Sequence, residues 1–284
     1  MTQLVNTIYV TLLLLSVTAV NAAEQSSLQP QLAISPSRVV IEPEAVKGTQ
    51  SVTVLNLGAR PLQVEVSVQN WDFDEHNNYR ALPPTPQSLD QWLIINPVRL
   101  TVPPKGQQTV RMAIRPKAKP EDGEHRAMVF FRQVPSAEAK GVNVQFNIGV
   151  PVYAFFGDVK REATLHSLAY DKTSQSLSFD ITSSGNAYVR PGGYFFILEK
   201  SDDADGQILQ RLNVETGEVK GDKPLASGKI SSKPVFAGER RTVDVALPMN
   251  ERPDSQLPEE YLLAIKVDVA GTLYEKVYRV QKDK

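Results

Sequence analysis

The sequence predicts an all-β protein built as two β-sandwich domains in tandem. Three observations carry that prediction. Apolar side chains alternate with polar ones, as at Leu62, Val64, Val66 and Val68 or at Val110, Met112 and Ile114, which marks strands with one face on a core and one in water. Turn signals separate these runs, among them Gly58-Ala59-Arg60-Pro61, Pro103-Pro104-Lys105-Gly106 and Glu121-Asp122-Gly123. No stretch of ten residues or more carries a helical period, and 284 residues exceed the needs of one small sandwich.

The chain opens on Met1–Ala23, which reads as a signal peptide. Its apolar stretch, Ile8 to Val20, is shorter than the roughly 20 residues a membrane-spanning helix needs. Small residues at Val20-Asn21-Ala22 suit cleavage after Ala22 or Ala23, although no Lys or Arg precedes the apolar stretch. No later segment is long and apolar enough to span a bilayer, so the mature chain is expected to be exported without an integral membrane segment.

Strands are then expected at Leu32–Glu42, Ser51–Leu57, Leu62–Val68, Trp92–Val102, Val110–Ile114, Arg126–Val134 and Val142–Phe156, with a short helical turn near Ser88–Trp92. Seven strands at this spacing suit an antiparallel sandwich. The second half offers Ala163–Tyr170, Leu177–Thr182, Tyr194–Glu199, Thr242–Leu247, Tyr261–Val269 and Leu273–Val280, with Ser201–Gly206 and Glu215–Lys233 expected as loops. The boundary is expected at Gly157-Asp158, where an apolar run gives way to charge, so the domains read 24–157 and 158–284.

Composition narrows the function. Lys and Arg total 31 against 32 Asp and Glu, a net charge of -1, which lacks the basic balance of a nucleic-acid binder. With no cysteine, disulfides, thiolate sites and Cys nucleophiles are excluded, and three histidines far apart in sequence (His76, His125, His166) offer little for a metal or a triad. The acidic cluster Asp72, Asp74, Glu75 with His76, and the run Asp202-Asp203-Ala204-Asp205-Gly206, lack the twelve-residue calcium-loop pattern and read as solvated turns. No phosphate-cradling Gly loop or Gly-x-Ser-x-Gly elbow occurs. No metal, no cofactor and no enzymatic activity are expected.

Val142–Phe156 (VNVQFNIGVPVYAFF) asks for an explanation. Val142, Val144, Phe146, Ile148, Val150, Val152, Ala154 and Phe156 share one parity and hence one face, without a charge. The other parity begins polar (Asn143, Gln145, Asn147) and turns apolar (Pro151, Tyr153, Phe155). At about 3.3 Å per residue such a strand reaches roughly 50 Å, far beyond the usual five or six residues. Pro151 cannot donate to a ladder and points to an edge or a switch between sheets. An ordinary core strand accounts for the pattern; so does a strand whose edge is lent to another protein by strand addition.

Three stretches carry a family resemblance: Glu124–Pro135 (EHRAMVFFRQVP), Ser37–Glu42 followed by Gln50–Leu57, and Trp92–Arg115 with its Pro97 and Pro-Pro turn. Together they resemble the periplasmic pilus-assembly chaperones of the PapD type over most of residues 32–156. The second half is similar only loosely, at Ser184-Gly185-Asn186 and Lys266–Gly271. The resemblance implies two immunoglobulin-like sandwiches, a periplasmic location, pilus or fimbrial subunits as partners and an outer-membrane usher as recipient. It implies donor-strand complementation, in which Val144, Phe146 and Ile148 plug an incomplete subunit and Val142 reaches a further pocket. It also implies an anchor for the subunit's terminal carboxylate at Arg38, where a guanidinium fork suits a carboxylate. The family's anchoring lysine falls on Tyr153, a departure that removes a charge. Glu124 and Asp268 fall on interdomain network positions, and the network's arginine falls on Gly157. The loop Ser136–Lys140 is short.

Two other readings remain. One is a surface structural or adhesive sandwich subunit, which needs its own N-terminal donor strand; the polar stretch Glu24–Gln31 lacks an alternating apolar row. The other is a carbohydrate-binding or carbohydrate-active sandwich with Trp71 and Trp92 as its platform.

Overall fold

The computed structural model describes residues 32–74, 76–135, 145–221, 223–248 and 257–281. The expected leader and the stretch 136–144, which includes Val142 and Val144, lie outside the described residues.

The first sandwich contains β1 (Leu32–Ser35), β2 (Val39–Ile41), β3 (Thr49–Asn56), β4 (Leu62–Phe73), β5 (Tyr79–Leu82), β6 (Leu93–Asn96), β7 (Arg99–Val102), β8 (Gln107–Ile114), β9 (Gly123–Gln133) and β10 (Asn147–Phe156). One sheet runs β1-β3-β8-β6; the other runs β2-β10-β9-β4-β5, with β7 also on β4. Two expected strands are each split in the structure. Leu32–Glu42 becomes β1, antiparallel to β3 in one sheet, and β2, parallel to β10 in the other. The crossing falls at Pro36–Arg38, since proline cannot sustain a ladder in a central strand. Trp92–Val102 likewise breaks at Pro97 into β6 on β8 and β7 on β4.

Alternation works as expected in the core. Val52 and Val54, Leu62, Val64 and Val66, Val110, Met112 and Ile114, and Ala127, Val129 and Phe131 close on one another between the sheets. Buried Asn56 ties two turns together: its Nδ2 donates to the Arg60 and Val102 carbonyls (2.7 and 3.1 Å) and its Oδ1 accepts from Gly58 N–H (2.8 Å). Those are the Gly58–Pro61 and Pro103–Gly106 turn signals, held by one fully satisfied polar side chain. Trp92 is buried in this core, and the short helical turn expected beside it is a 3₁₀ turn over Leu89–Gln91.

The second sandwich contains β11 (Ala163–Asp171), β12 (Ser176–Ser183), β13 (Gly192–Glu199), α1 (Asp205–Gln210), β14 (Leu212–Asn213), β15 (Glu218–Val219), β16 (Ala226–Ser231), β17 (Arg240–Ala246), β18 (Glu260–Val269) and β19 (Thr272–Gln281). A three-stranded sheet, β11-β12-β17, faces a four-stranded one, β16-β13-β18-β19, around a separate core that includes Phe179, Phe195, Leu263 and Ile265. The expected loops at Ser201–Gly206 and Glu215–Lys233 are partly structured instead. Ile208, Leu212 and Val219 pack on Phe196, Leu198, Leu262 and Ala264. The sheet's second face is thus also apolar, and a covering segment of short elements is what buries it.

Candidate functional site

Strand β10 carries the candidate site. It pairs antiparallel with β9 along its whole length, Asn147 to Phe156 opposite Arg132 to Gly123. On its other side only Val152–Ala154 are paired, in parallel, with Val39–Ile41. Gln133 N–H donates to the Phe146 carbonyl at 2.8 Å, so the even-numbered residues share the ladder with β9. The odd-numbered residues therefore turn their backbone groups the opposite way. Among the described residues, no strand pairs with Asn147–Pro151 on that side. The open edge offers the N–H and carbonyl groups of Asn147 and Gly149. Pro151 is the residue just before pairing with β2 begins.

The two faces of β10 explain the double apolar pattern. On the even face, Val150, Val152 and Ala154 are fully buried in the protein's own core, whereas Phe146 and Ile148 are only partly buried against it. On the odd face, exposed Asn147 and Gly149 give way to buried Tyr153 and Phe155. These two rings meet Trp71 of β4 and, from the second sandwich, Ala187 and Phe236. Phe236 lies 5.4 Å from both Trp71 and Phe73, edge-on to the first and stacked on the second, and the Arg126 guanidinium sits 3.8 Å above its ring. The apolar odd parity is thus an interdomain contact. Trp71 and Trp92 are both buried and form no exposed platform for a sugar.

Polar contacts reinforce this junction. Glu124 Oε2 accepts the Tyr188 N–H at 2.6 Å, Glu124 N–H donates to the Asn186 carbonyl at 2.9 Å, and Arg126 pairs with Glu124 at 3.3 Å and Asp72 at 3.5 Å. Burial pushes the Glu124 carboxyl above the usual range, with Arg126 and the Tyr188 N–H pulling the other way. Gly157, where the resemblance puts an arginine, has φ +60°, and a Cβ there would lie 1.8 Å from Asp122 Oδ1. The arginine beside Glu124 is instead Arg126, two residues along the same strand. Asp268 is exposed and accepts Gly271 N–H at 3.1 Å within its own hairpin; among the described residues it makes no hydrogen bond to the first sandwich. The turn between β4 and β5 also reaches across. Asn77 donates to the Thr242 carbonyl (3.0 Å), accepts from Arg241 (3.0 Å), and its carbonyl receives Lys233 (2.7 Å). Asp74 caps that turn by accepting the His76 and Asn78 N–H groups.

Between the sandwiches lies a cleft of about 440 Å³ lined by Trp71, Tyr79, Pro151, Tyr153, Arg190 and Lys233, among others. Tyr153 is buried at its base, its phenol held above the ordinary value first by burial and then by the Glu124 carboxylate. Arg38 is exposed, in the bend between β1 and β2, and the proton affinity of Arg190 is lowered first by burial and then by the like charge of Arg38. Arg190 had no signal in the sequence. Its partners come from both domains, and only the fold brings them together.

Strand β10 thus runs into the cleft between the two sandwiches, with Pro151 and Tyr153 of that strand and Arg190 and Lys233 of the second sandwich on its walls. Residues 31–156 match the family model for the PapD N-terminal domain of pili and flagellar-assembly chaperones. No curated protein matches the chain in sequence. Similar solved structures include the E. coli chaperone DraB (13% identity, 88% of this chain and 96% of that one, TM-score 0.40). The Pseudomonas aeruginosa CupB2 chaperone is 12% identical over 87% of this chain and 100% of that one (TM-score 0.40). A chain from the CsuC–CsuE chaperone–tip subunit complex of Acinetobacter baumannii is 14% identical over 90% and 100% (TM-score 0.43). Among the described residues, no helix is long and apolar enough to cross a membrane.

Proposed function

We propose that the protein is a periplasmic chaperone that captures pilus or fimbrial subunits by donor-strand complementation and passes them to an outer-membrane usher. Residues 1–23 are its export signal, and domains 24–157 and 158–284 its two working parts. The observation that carries this reading is the open edge of β10 at Asn147–Pro151, beside two half-exposed apolar side chains. Main-chain groups on that edge can pair with an incomplete sandwich, while Phe146 and Ile148, continued by Val144 and Val142, fill its gap. Burial of each such side chain is worth roughly 1.5–3 kcal/mol before the costs of association. Arg38 and Tyr153 hold the end of the captured chain, and Glu124 fixes the angle between domains.

The test is a pull-down of the tagged full chain from native periplasm, with mass spectrometry of what accompanies it. Small sandwich subunits enriched with wild type and lost with Phe146→Asp support the reading. Equal recovery by both proteins, or no subunit with either, contradicts it.

A further inference from the structure

The sandwiches meet at the end of one sheet, where β10, β9, β4 and β5 stand in that order. The chain leaves β10 at Phe156, and Glu124 makes its contact with the second sandwich at the start of the neighbouring β9. A linker with one contact beside it leaves a swivel, because tandem domains move relative to one another unless the interface prevents it. The turn between β4 and β5 lies further along the same sheet end, roughly 5–10 Å from β9 at the usual spacing of strands. A bond made there acts on a lever arm.

Arg241, on β17 of the second sandwich, makes such bonds with its whole guanidinium. Its Nε and Nη2 donate to Glu239 of its own domain at 3.1 and 2.9 Å. Its Nη2 also donates to the Phe73 carbonyl at 3.4 Å, and its Nη1 to the Asp74 carbonyl at 2.5 Å and to Asn77 Oδ1 at 3.0 Å. Every N–H of the side chain therefore has an acceptor, with Glu239 aiming the fork and the turn of the other domain receiving it. Asn77 completes the join. Its Nδ2 donates to the Thr242 carbonyl at 3.0 Å, and its own carbonyl accepts from Lys233 at 2.7 Å. Its φ of +61° is a left-handed conformation that asparagine adopts more readily than most residues.

We infer that Asn77 and Arg241 form a second interdomain lock, which stops the sandwiches from turning about the contact at Glu124 and so makes both residues positioning residues for the cleft. Trp71, Phe73 and Tyr79 of the locked hairpin line one wall of that cleft and Lys233 and Asp244 of the second sandwich line the other, so the lock sets how the walls face each other. Its consequence for capture rests on the proposed function; the lock itself is tested without a subunit.

The test measures residual dipolar couplings of the full chain by NMR. In wild type both sandwiches should fit one alignment tensor. Asn77→Gly keeps the left-handed backbone and removes both side-chain bonds. In it and in Arg241→Gln, each sandwich should still fit its own structure, but the two tensors should differ. Arg80→Gln is the control, since Arg80 pairs with Asp72 inside the first sandwich and should leave the shared tensor in place. Arg241→Lys keeps the charge without the fork and should lie between wild type and Arg241→Gln. If Arg241→Gln fails to fold, Asn77→Gly carries the test. Subunit affinity should fall at least about tenfold in both unlocked variants if the competent orientation drops to one molecule in ten. Separate tensors in wild type, or one shared tensor in Asn77→Gly, overturn the lock. Unlocked variants that capture subunits as tightly as wild type overturn the positioning role and leave the chaperone reading intact. Tensors that part as expected while not even wild type captures a subunit support the lock and contradict the chaperone reading.

Discussion

Glu124 of the first sandwich accepts the backbone N–H of Tyr188 of the second at 2.6 Å, and its other oxygen faces Arg126 at 3.3 Å. A buried carboxylate thus joins two domains through one backbone donor and one cation. Beside it Phe236 packs against both Trp71 and Phe73. The junction is both apolar and hydrogen-bonded, which favours a fixed angle between the sandwiches over a free hinge.

That contact predicts a pH signature. Burial raises the folded-state affinity of Glu124 for a proton. A carboxyl with a raised folded value stabilises the fold below its unfolded value, and the contribution is lost as pH rises through the folded one. Glu124→Gln stays neutral throughout. The stability of wild type relative to Glu124→Gln should therefore fall between about pH 4 and pH 7. Urea midpoints of both proteins at the two pH values check this, and a constant difference would refute it.

Gly157 turns the chain out of β10 toward the second sandwich with φ +60°. Gly157→Ala forces an L residue into that conformation and pushes its Cβ into Asp122. A loss of about 1–2 kcal/mol from the backbone alone is expected, measurable as a lowered urea midpoint. An unchanged midpoint would show that the turn tolerates a side chain.

Ile148 and Phe146 divide their contacts between the protein's own core and solvent. Ile148→Asp and Phe146→Asp should reduce subunit capture at least about tenfold, the equivalent of 1.4 kcal/mol, while circular dichroism still reports a folded protein. Capture equal to wild type at equal solubility would exclude these side chains from the interface.

Arg38 and Arg99 are both exposed, but Arg99 pairs with Glu65 at 2.9 Å, away from the cleft. Arg38→Ala should weaken subunit affinity and Arg99→Ala should leave it alone. Matching affinities in a titration would place the anchor elsewhere.

The sequence made some of this arrangement legible and hid the rest. Period-two alternation through Val110, Met112 and Ile114 needs only local geometry, and those residues are in the core. The apolar turn of the odd parity at Tyr153 and Phe155 was visible too, but not its cause, because Phe236 lies some eighty residues on in another domain. The splits at Pro36–Arg38 and Pro97 were signalled by their prolines and still read as continuous strands, since sheet switching is a tertiary choice. The covering segment around Ile208 and Val219 read as loop because its elements are too short for periodicity.

The central claim is that the open edge of β10 is where a subunit is added. The most direct measurement is amide hydrogen exchange at Asn147 and Gly149 in the free protein and in its complex with a captured subunit. Both N–H groups point away from β9 and lie beyond the reach of β2. They should exchange readily in the free chain and become strongly protected in the complex. A complex that forms while both amides keep exchanging as before would contradict strand addition at this edge.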